Sequence, residues 1–79
     1  MERTAQEEIK AHLLATSEDF RRLASEHSDY AQKVDALEAI PHPSEQEQIE
    51  EVRLKKLKLR IKDQMEEMIL SHYKAQQVA

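Results

Sequence analysis

The chain has 79 residues, of which 35 % are charged and 4 % aromatic, a net charge of −4, and neither glycine nor cysteine. At this length a lone hydrophobic core is marginal, so one small domain is expected. The missing cysteine excludes disulfides, thiolate zinc sites and thiol nucleophiles, and the missing glycine excludes glycine-rich phosphate loops.

The distribution of charge and apolar residues favours a small helical protein. Residues 1–40 carry a net charge of −4, whereas residues 41–79 balance to zero, with their positive charge concentrated in 53–62. An acidic first half facing a basic segment suits an antiparallel helix pair. No apolar run has the length of a signal-peptide core or a membrane span, so we expect a cytoplasmic protein.

The first predicted element is a helix over residues 5–39, beginning after a capping-box spacing at Thr4 and Glu7. Seam positions alternate in steps of four and three, as in a coiled coil. These positions are Ile9, Leu13, Thr16, Phe20, Leu23, His27, Tyr30, Val34 and Leu37. Because Thr16 and Ser17 could cap a new helix, the sequence allows one helix with a weak point or two helices, 5–15 and 17–39.

A turn at residues 40–44 is predicted next, because Pro41 and Pro43 end the first helix. Ser44 and Glu47 then form a second capping box. The second helix is predicted over residues 45–73, with residues 75–79 frayed.

The two helices are predicted to form an antiparallel hairpin, because a turn centred near His42 brings their apolar stripes into register. Glu26 and Asp29 then fall alongside the Lys55–Lys58 stretch. The intramolecular seam is predicted to comprise Phe20, Leu23, His27, Tyr30, Leu54, Leu57, Ile61 and Met65.

A second apolar stripe predicts self-association. Val52, Leu59 and Leu70 project from the side of the second helix opposite the seam. Leaving such residues in water forfeits stabilisation, so they form the candidate oligomer interface. The fold class is therefore all-α, a coiled-coil-like hairpin that assembles into a homo-oligomer, namely a dimeric four-helix bundle.

The run Glu51–Met65 resembles the signature of the small bacterial YdcH-like family of unknown function. Its most specific part is the core formed by Lys55, Lys56, Lys58, Leu59, Lys62 and Asp63. Phe20 with Leu23 and His27 resembles the first-helix pattern of that family, and the similarity covers residues 20–68. The Pro-His-Pro connection departs from it, being tighter than the family's loops. The resemblance implies a helical hairpin and supplies no activity or catalytic residue.

The basic segment has two interpretations. It comprises Arg53, Lys55, Lys56, Lys58, Arg60 and Lys62. Clustered lysine and arginine neutralise phosphates, which is the basis of the alternative function, a nucleic-acid-binding accessory protein. The acidic net charge and the lack of interleaved aromatic residues favour a solvated flank that pairs with acids.

No catalytic, cofactor-binding or metal-ligating residue is predicted. His12 and His72 would be neighbours and could join Glu8 or Glu67, but the sequence lacks cysteine and any His-x-x-x-His pair. Asp63 is expected in surface ion pairs with Arg60 or a partner lysine. A two-helix unit offers no concave pocket that would shift carboxylate pKa values.

His27 is the polar seam residue of interest. It is either a hydrogen-bonded packing residue or a pH-sensitive one, because burial and Lys58 would both lower the pKa of its imidazole, whereas Glu26 or Asp29 would oppose them. The predicted function is a non-enzymatic helical interaction module that self-associates and binds an unidentified protein partner, without a cofactor and without a membrane.

Overall fold

The computed structural model describes the backbone of residues 3–78 and the side chains of residues 5–76. Three helices follow one another: α1 at Arg3–Thr16, α2 at Glu18–Glu38 and α3 at Glu45–Val78. Within the described range there is no strand. The predicted all-α class is therefore confirmed.

Ser17 separates α1 from α2, so of the two arrangements that the sequence allowed the protein adopts two helices. The backbone of Ser17 is extended, at φ −115° and ψ 116°, and its hydroxyl oxygen accepts a hydrogen bond from the Phe20 amide at 3.1 Å. This is an N-cap, which satisfies one of the free amides at the start of α2. Arg21 adds to the junction by donating to the carbonyls of Leu14 and Ala15 at 3.1 and 3.2 Å.

Two predictions about this first segment are wrong. α1 already includes Arg3, the first residue described, whereas the sequence predicted a start near Ala5; Thr4 therefore lies inside the helix, and its side chain is outside the described residues. Thr16 is exposed rather than in the seam, and its hydroxyl donates to the His12 carbonyl at 2.8 Å. The extended Ser17 interrupts the helical period, so the seam passes from Leu13 to Phe20 without Thr16.

The connection between α2 and α3 follows the predicted local chemistry. α2 ends at Glu38, and the Ile40 amide donates to the Leu37 carbonyl at 3.2 Å. At the start of α3, Ser44 accepts from the Glu47 amide at 3.1 Å, while Glu47 accepts from the Ser44 amide at 2.8 Å. This reciprocal pair is the predicted capping box. Hydrogen bonding of the Glu47 carboxyl to the Ser44 backbone amide, and then to the Ser44 side chain, lowers the pKa of Glu47.

α3 continues to Val78, five residues beyond its predicted end at residue 73. Its last turns are anchored because Tyr73 packs against the core cluster, and the following residues Lys74, Ala75 and Gln76 are good helix formers. With 34 residues, α3 runs the length of a molecule measuring 54 × 20 × 18 Å.

All three helices contribute to the core. The main cluster consists of Ile9, Leu13, Phe20, Leu23, Ile61, Met65 and Ile69. Nearer the connection, Val34 and Leu54 are also buried. Two contacts mark the two ends of the molecule: Glu38 pairs with Lys55 near the connection, and the His12 ring lies beside the His72 ring at the far end.

Candidate interaction surface

The eight predicted seam residues divide into a buried and a half-buried group. Side chains with less than a tenth of their surface exposed are Phe20, Leu23, Leu54, Ile61 and Met65. Half-buried positions at the edge are His27, Tyr30 and Leu57. The sequence did not identify Ile69, which is 4 % exposed. Ile69 lies four residues after Met65, beyond the end of the predicted seam, and packs in one cluster with Ile9 and Leu13 of α1.

One side of α3 faces solvent and is partly apolar. Val52, Leu59 and Leu70 are 52, 56 and 43 % exposed, whereas Leu54 and Ile61 are 4 and 7 % exposed. Residues two apart are separated by about 200° around a helix, so the two sets lie on nearly opposite sides. Ile49 is also exposed, at 63 %, and belongs to the same side, although it was not among the residues predicted from the sequence.

The exposed apolar residues belong to a longer repeat. Seven exposed positions follow at alternating steps of three and four and are here named the outer face of α3: Ile49, Val52, Lys56, Leu59, Asp63, Glu66 and Leu70. Alternating steps of three and four form the seam of a coiled coil. The charged members interrupt the repeat, which hides it from a search for apolar residues alone.

The basic segment is partly neutralised by acids of the same chain. Lys55 Nζ lies 3.0 Å from Glu38 Oε1 and 3.6 Å from Glu51 Oε1, which raises the pKa of Lys55. Arg53 Nε donates to Glu50 Oε2 at 3.0 Å.

The remaining four cations of the segment differ in exposure. Lys58 is half-buried, and the other three are exposed and form no ion pair with another residue of the described part: Lys56, Arg60 and Lys62. Among residues 5–76, the ion pair between α2 and α3 is Glu38–Lys55. Glu26 and Asp29, which were expected alongside Lys55–Lys58, form no ion pair with α3 in the same range.

His27 lies at the edge of the seam, where its surroundings disfavour the charged ring. Burial is the largest cause that lowers the pKa of His27, followed by the positive charges of Lys58, Lys62 and Lys10. Burial and Lys58 act as the sequence analysis anticipated. The contribution of Lys10 comes from α1, which the sequence did not place beside α2.

His12 and His72 are neighbours, as expected, with ring centroids 5.1 Å apart and ring planes tilted by 39°. Glu8 lies in the same shallow depression as the two rings. Across the residues that the structure describes, however, no three histidine, aspartate or glutamate side chains are grouped closely enough to hold a metal ion. In the same range, no helix combines the length and the apolar character that crossing a bilayer requires.

The fold and this surface define a small all-α protein whose longest helix has one side in the core and another, partly apolar side in solvent. The chain belongs to DUF465, a family of proteins of unknown function whose family model matches residues 20–69. This confirms the resemblance to a small family of unknown function. No curated protein and no solved structure matches the chain.

The family match covers α2 from Phe20 onward, the connection and α3 as far as Ile69. It therefore includes the seam and six of the seven positions of the outer face of α3. α1 lies outside the matched residues.

Proposed function

We propose that this protein is a non-enzymatic interaction module that self-associates through the outer face of α3. In this proposal α2 and α3 act as an antiparallel hairpin, and two hairpins join into a dimeric four-helix assembly. A protein partner then binds the assembled dimer. The observation that carries the proposal is the exposure of Ile49, Val52, Leu59 and Leu70 on one side of a single helix.

The free-energy cost of leaving large apolar residues in water favours a partner that covers the outer face of α3. Truncating a well-buried leucine costs about 2–5 kcal/mol, so three or four large apolar residues left in water forfeit substantial stabilisation. Scattered exposed apolar residues are normal, but these four lie on one face at coiled-coil spacing. Covering that face with another helix recovers the burial that a 79-residue chain otherwise lacks.

A matched pair of substitutions tests the proposal. Leu59→Glu places a charge in the outer face of α3, whereas Leu14→Glu places the same charge at an exposed leucine of α1, outside that face. Light scattering on a sizing column should give a dimer for the wild type and Leu14→Glu, and a monomer for Leu59→Glu. A dimer in all three proteins would place the interface elsewhere, and a wild-type monomer would contradict self-association.

Nucleic-acid binding is the second candidate, supported by Lys56, Arg60 and Lys62, which are exposed and form no ion pair within residues 5–76. Three phosphate contacts would give a binding constant that falls with salt. The involvement of Arg53 and Lys55 in ion pairs within the chain weakens this alternative. Pull-down from native extract with and without nuclease separates the two functions: nuclease-resistant partners favour the module, and nuclease-sensitive recovery favours nucleic acid.

A further inference from the structure

The outer face of α3 and its flanks carry their charges in two blocks. The basic block lies toward the start of the helix and consists of Arg53, Lys56 and Arg60; the acidic block follows it and consists of Asp63, Glu66 and Glu67. All six side chains are exposed. Between residues 53 and 67 these six charges are therefore positive before Ile61 and negative after it; Glu45 and Lys74, which are also exposed, lie beyond the two blocks.

We infer that the occupant of this face is α3 of a second copy, aligned antiparallel, with the two-fold axis at the level of Ile61. The inference rests on the self-association proposed above and adds its orientation and register. In an antiparallel pair each basic block meets the acidic block of the other copy. A parallel pair would instead place each block against the identical block of the other copy. Like charges that meet at an interface oppose association.

The register follows from the positions of the apolar and charged members. In an antiparallel pair, residues equally far before and after the axis meet. Val52 and Leu70 lie nine residues on either side of Ile61, and Lys56 and Glu66 lie five on either side. One register thus pairs an apolar residue with an apolar residue and a cation with an anion, and symmetry repeats each pair.

Near the two-fold axis, the proposed interface contains one apolar and one charged residue from each copy. Leu59 and Asp63 lie two residues on either side of Ile61, so each Leu59 meets Asp63 of the other copy. The two Leu59 side chains then lie about 6 Å apart along the axis, close enough to pack on each other. Asp63 faces the region of Arg60 in the other copy. A polar residue at a seam position fixes register at a cost in stability, which is the role assigned to Asp63.

The dimer is predicted to have a layered arrangement. The outer face lies nearly opposite the buried Leu54 and Ile61, so the two α3 helices meet in the middle and each α2 remains outside. The α2 and α3 helices of the two copies lie side by side, rather than around one shared core as in the bundle expected from the sequence, and α1 of each copy stays packed on its own chain.

Engineered cysteines test the orientation and the register, because the chain contains no cysteine of its own. Val52→Cys and Leu70→Cys are prepared separately, and then unfolded and refolded together before oxidation with diamide. The mixture should give a disulfide-linked dimer on a non-reducing gel, and neither variant alone should do so. Residues 52 and 70 are 18 positions apart, about 27 Å along a helix, so identical cysteines are too far apart to bond.

The outcomes distinguish the inference from the proposed function. A cross-link in Val52→Cys alone would show a parallel pair and overturn the inference, leaving self-association intact. A dimer by light scattering without a cross-link in the mixture would overturn the register. A wild-type monomer would overturn both.

Exchanging charges provides an independent test. Lys56→Glu and Glu66→Lys should each raise the dimer dissociation constant about tenfold, since each substitution changes two symmetry-related pairs. The double variant should return close to the wild-type value, because it restores both pairs in reverse. If the double variant instead lost as much dimer affinity as the two single variants combined, the result would contradict the pairing of Lys56 with Glu66.

Discussion

At the scale of single residues, position around α3 decides what a leucine contributes. Leu54 is 4 % exposed, Leu57 is half-buried and Leu59 is 56 % exposed, although they lie within six consecutive residues. The helical period turns this stretch successively toward α2, the seam edge and solvent. Chemically identical side chains therefore serve the core in one case and the outer face of α3 in another.

Leu54→Ala should lower the free energy of unfolding by about 2–5 kcal/mol, because it leaves a cavity in the core. Leu57→Ala should cost less, since Leu57 is only half-buried. Gln32→Ala, at an exposed position of α2, should change stability by less than about 0.5 kcal/mol. Urea denaturation measures all three, and the reverse ranking would show that the faces of α3 are wrongly assigned.

His27 should make stability depend on pH. The pKa of its imidazole is lowered in the folded protein by burial and by Lys58, Lys62 and Lys10, so the unfolded chain binds the proton more readily. Above the unfolded pKa of about 6.5 both states are neutral and the residue has no effect. As pH falls from that value toward the folded pKa, the protein is progressively destabilised.

Unfolding at several pH values between about 5 and 8 tests this expectation, the interval in which histidine titrates. The wild type should lose stability toward pH 5, and His27→Leu should lose less. Lys58→Gln should also reduce the loss, because it removes a positive charge near the ring. Parallel profiles for the wild type and His27→Leu would show that His27 does not contribute to the pH dependence.

At the scale of elements, the helix starts depend on two serines. Ser17 accepts a hydrogen bond from the Phe20 amide, and Ser44 accepts one from the Glu47 amide. Replacing either serine by alanine should cost about 0.5–2 kcal/mol, the range for loss of an N-cap. Ser28→Ala, exposed within α2, is the control and should be neutral or slightly stabilising, since alanine is the better helix former. Equal effects of all three would mean that the caps contribute nothing specific.

The elements that follow from local chemistry could be predicted from the sequence. The stop at the prolines and the capping box of Ser44 with Glu47 each depend on residues a few positions apart, and the structure contains both. The break at Ser17 was one of two arrangements that the sequence allowed, and local chemistry alone did not decide between them.

Features that depend on how α1 lies against the other helices could not be predicted. An extended residue at Ser17 can direct α1 in many ways, so neither the burial of Ile69 nor the position of Lys10 near His27 follows from the period. The end of α3 was placed too early for a similar reason, because the anchoring of Tyr73 is a tertiary contact. Ile49 was missed because charged residues interrupt the outer repeat.

At the scale of the whole molecule, a narrow rod of 54 × 20 × 18 Å buries few side chains deeply. Only Phe20 and Val34 are exposed by less than 2 % among the described residues. Small domains of this kind often gain stability from association. An uncovered outer face on the longest helix is where a second copy supplies that burial.

Sedimentation equilibrium of the wild-type protein at micromolar concentrations tests this central claim most directly. Self-association through α3 predicts a particle mass of twice the 9.3 kDa chain, falling toward one chain on dilution as the dimer dissociates. A single-chain mass throughout the range, from a protein with the full helical content of α1, α2 and α3, would contradict it.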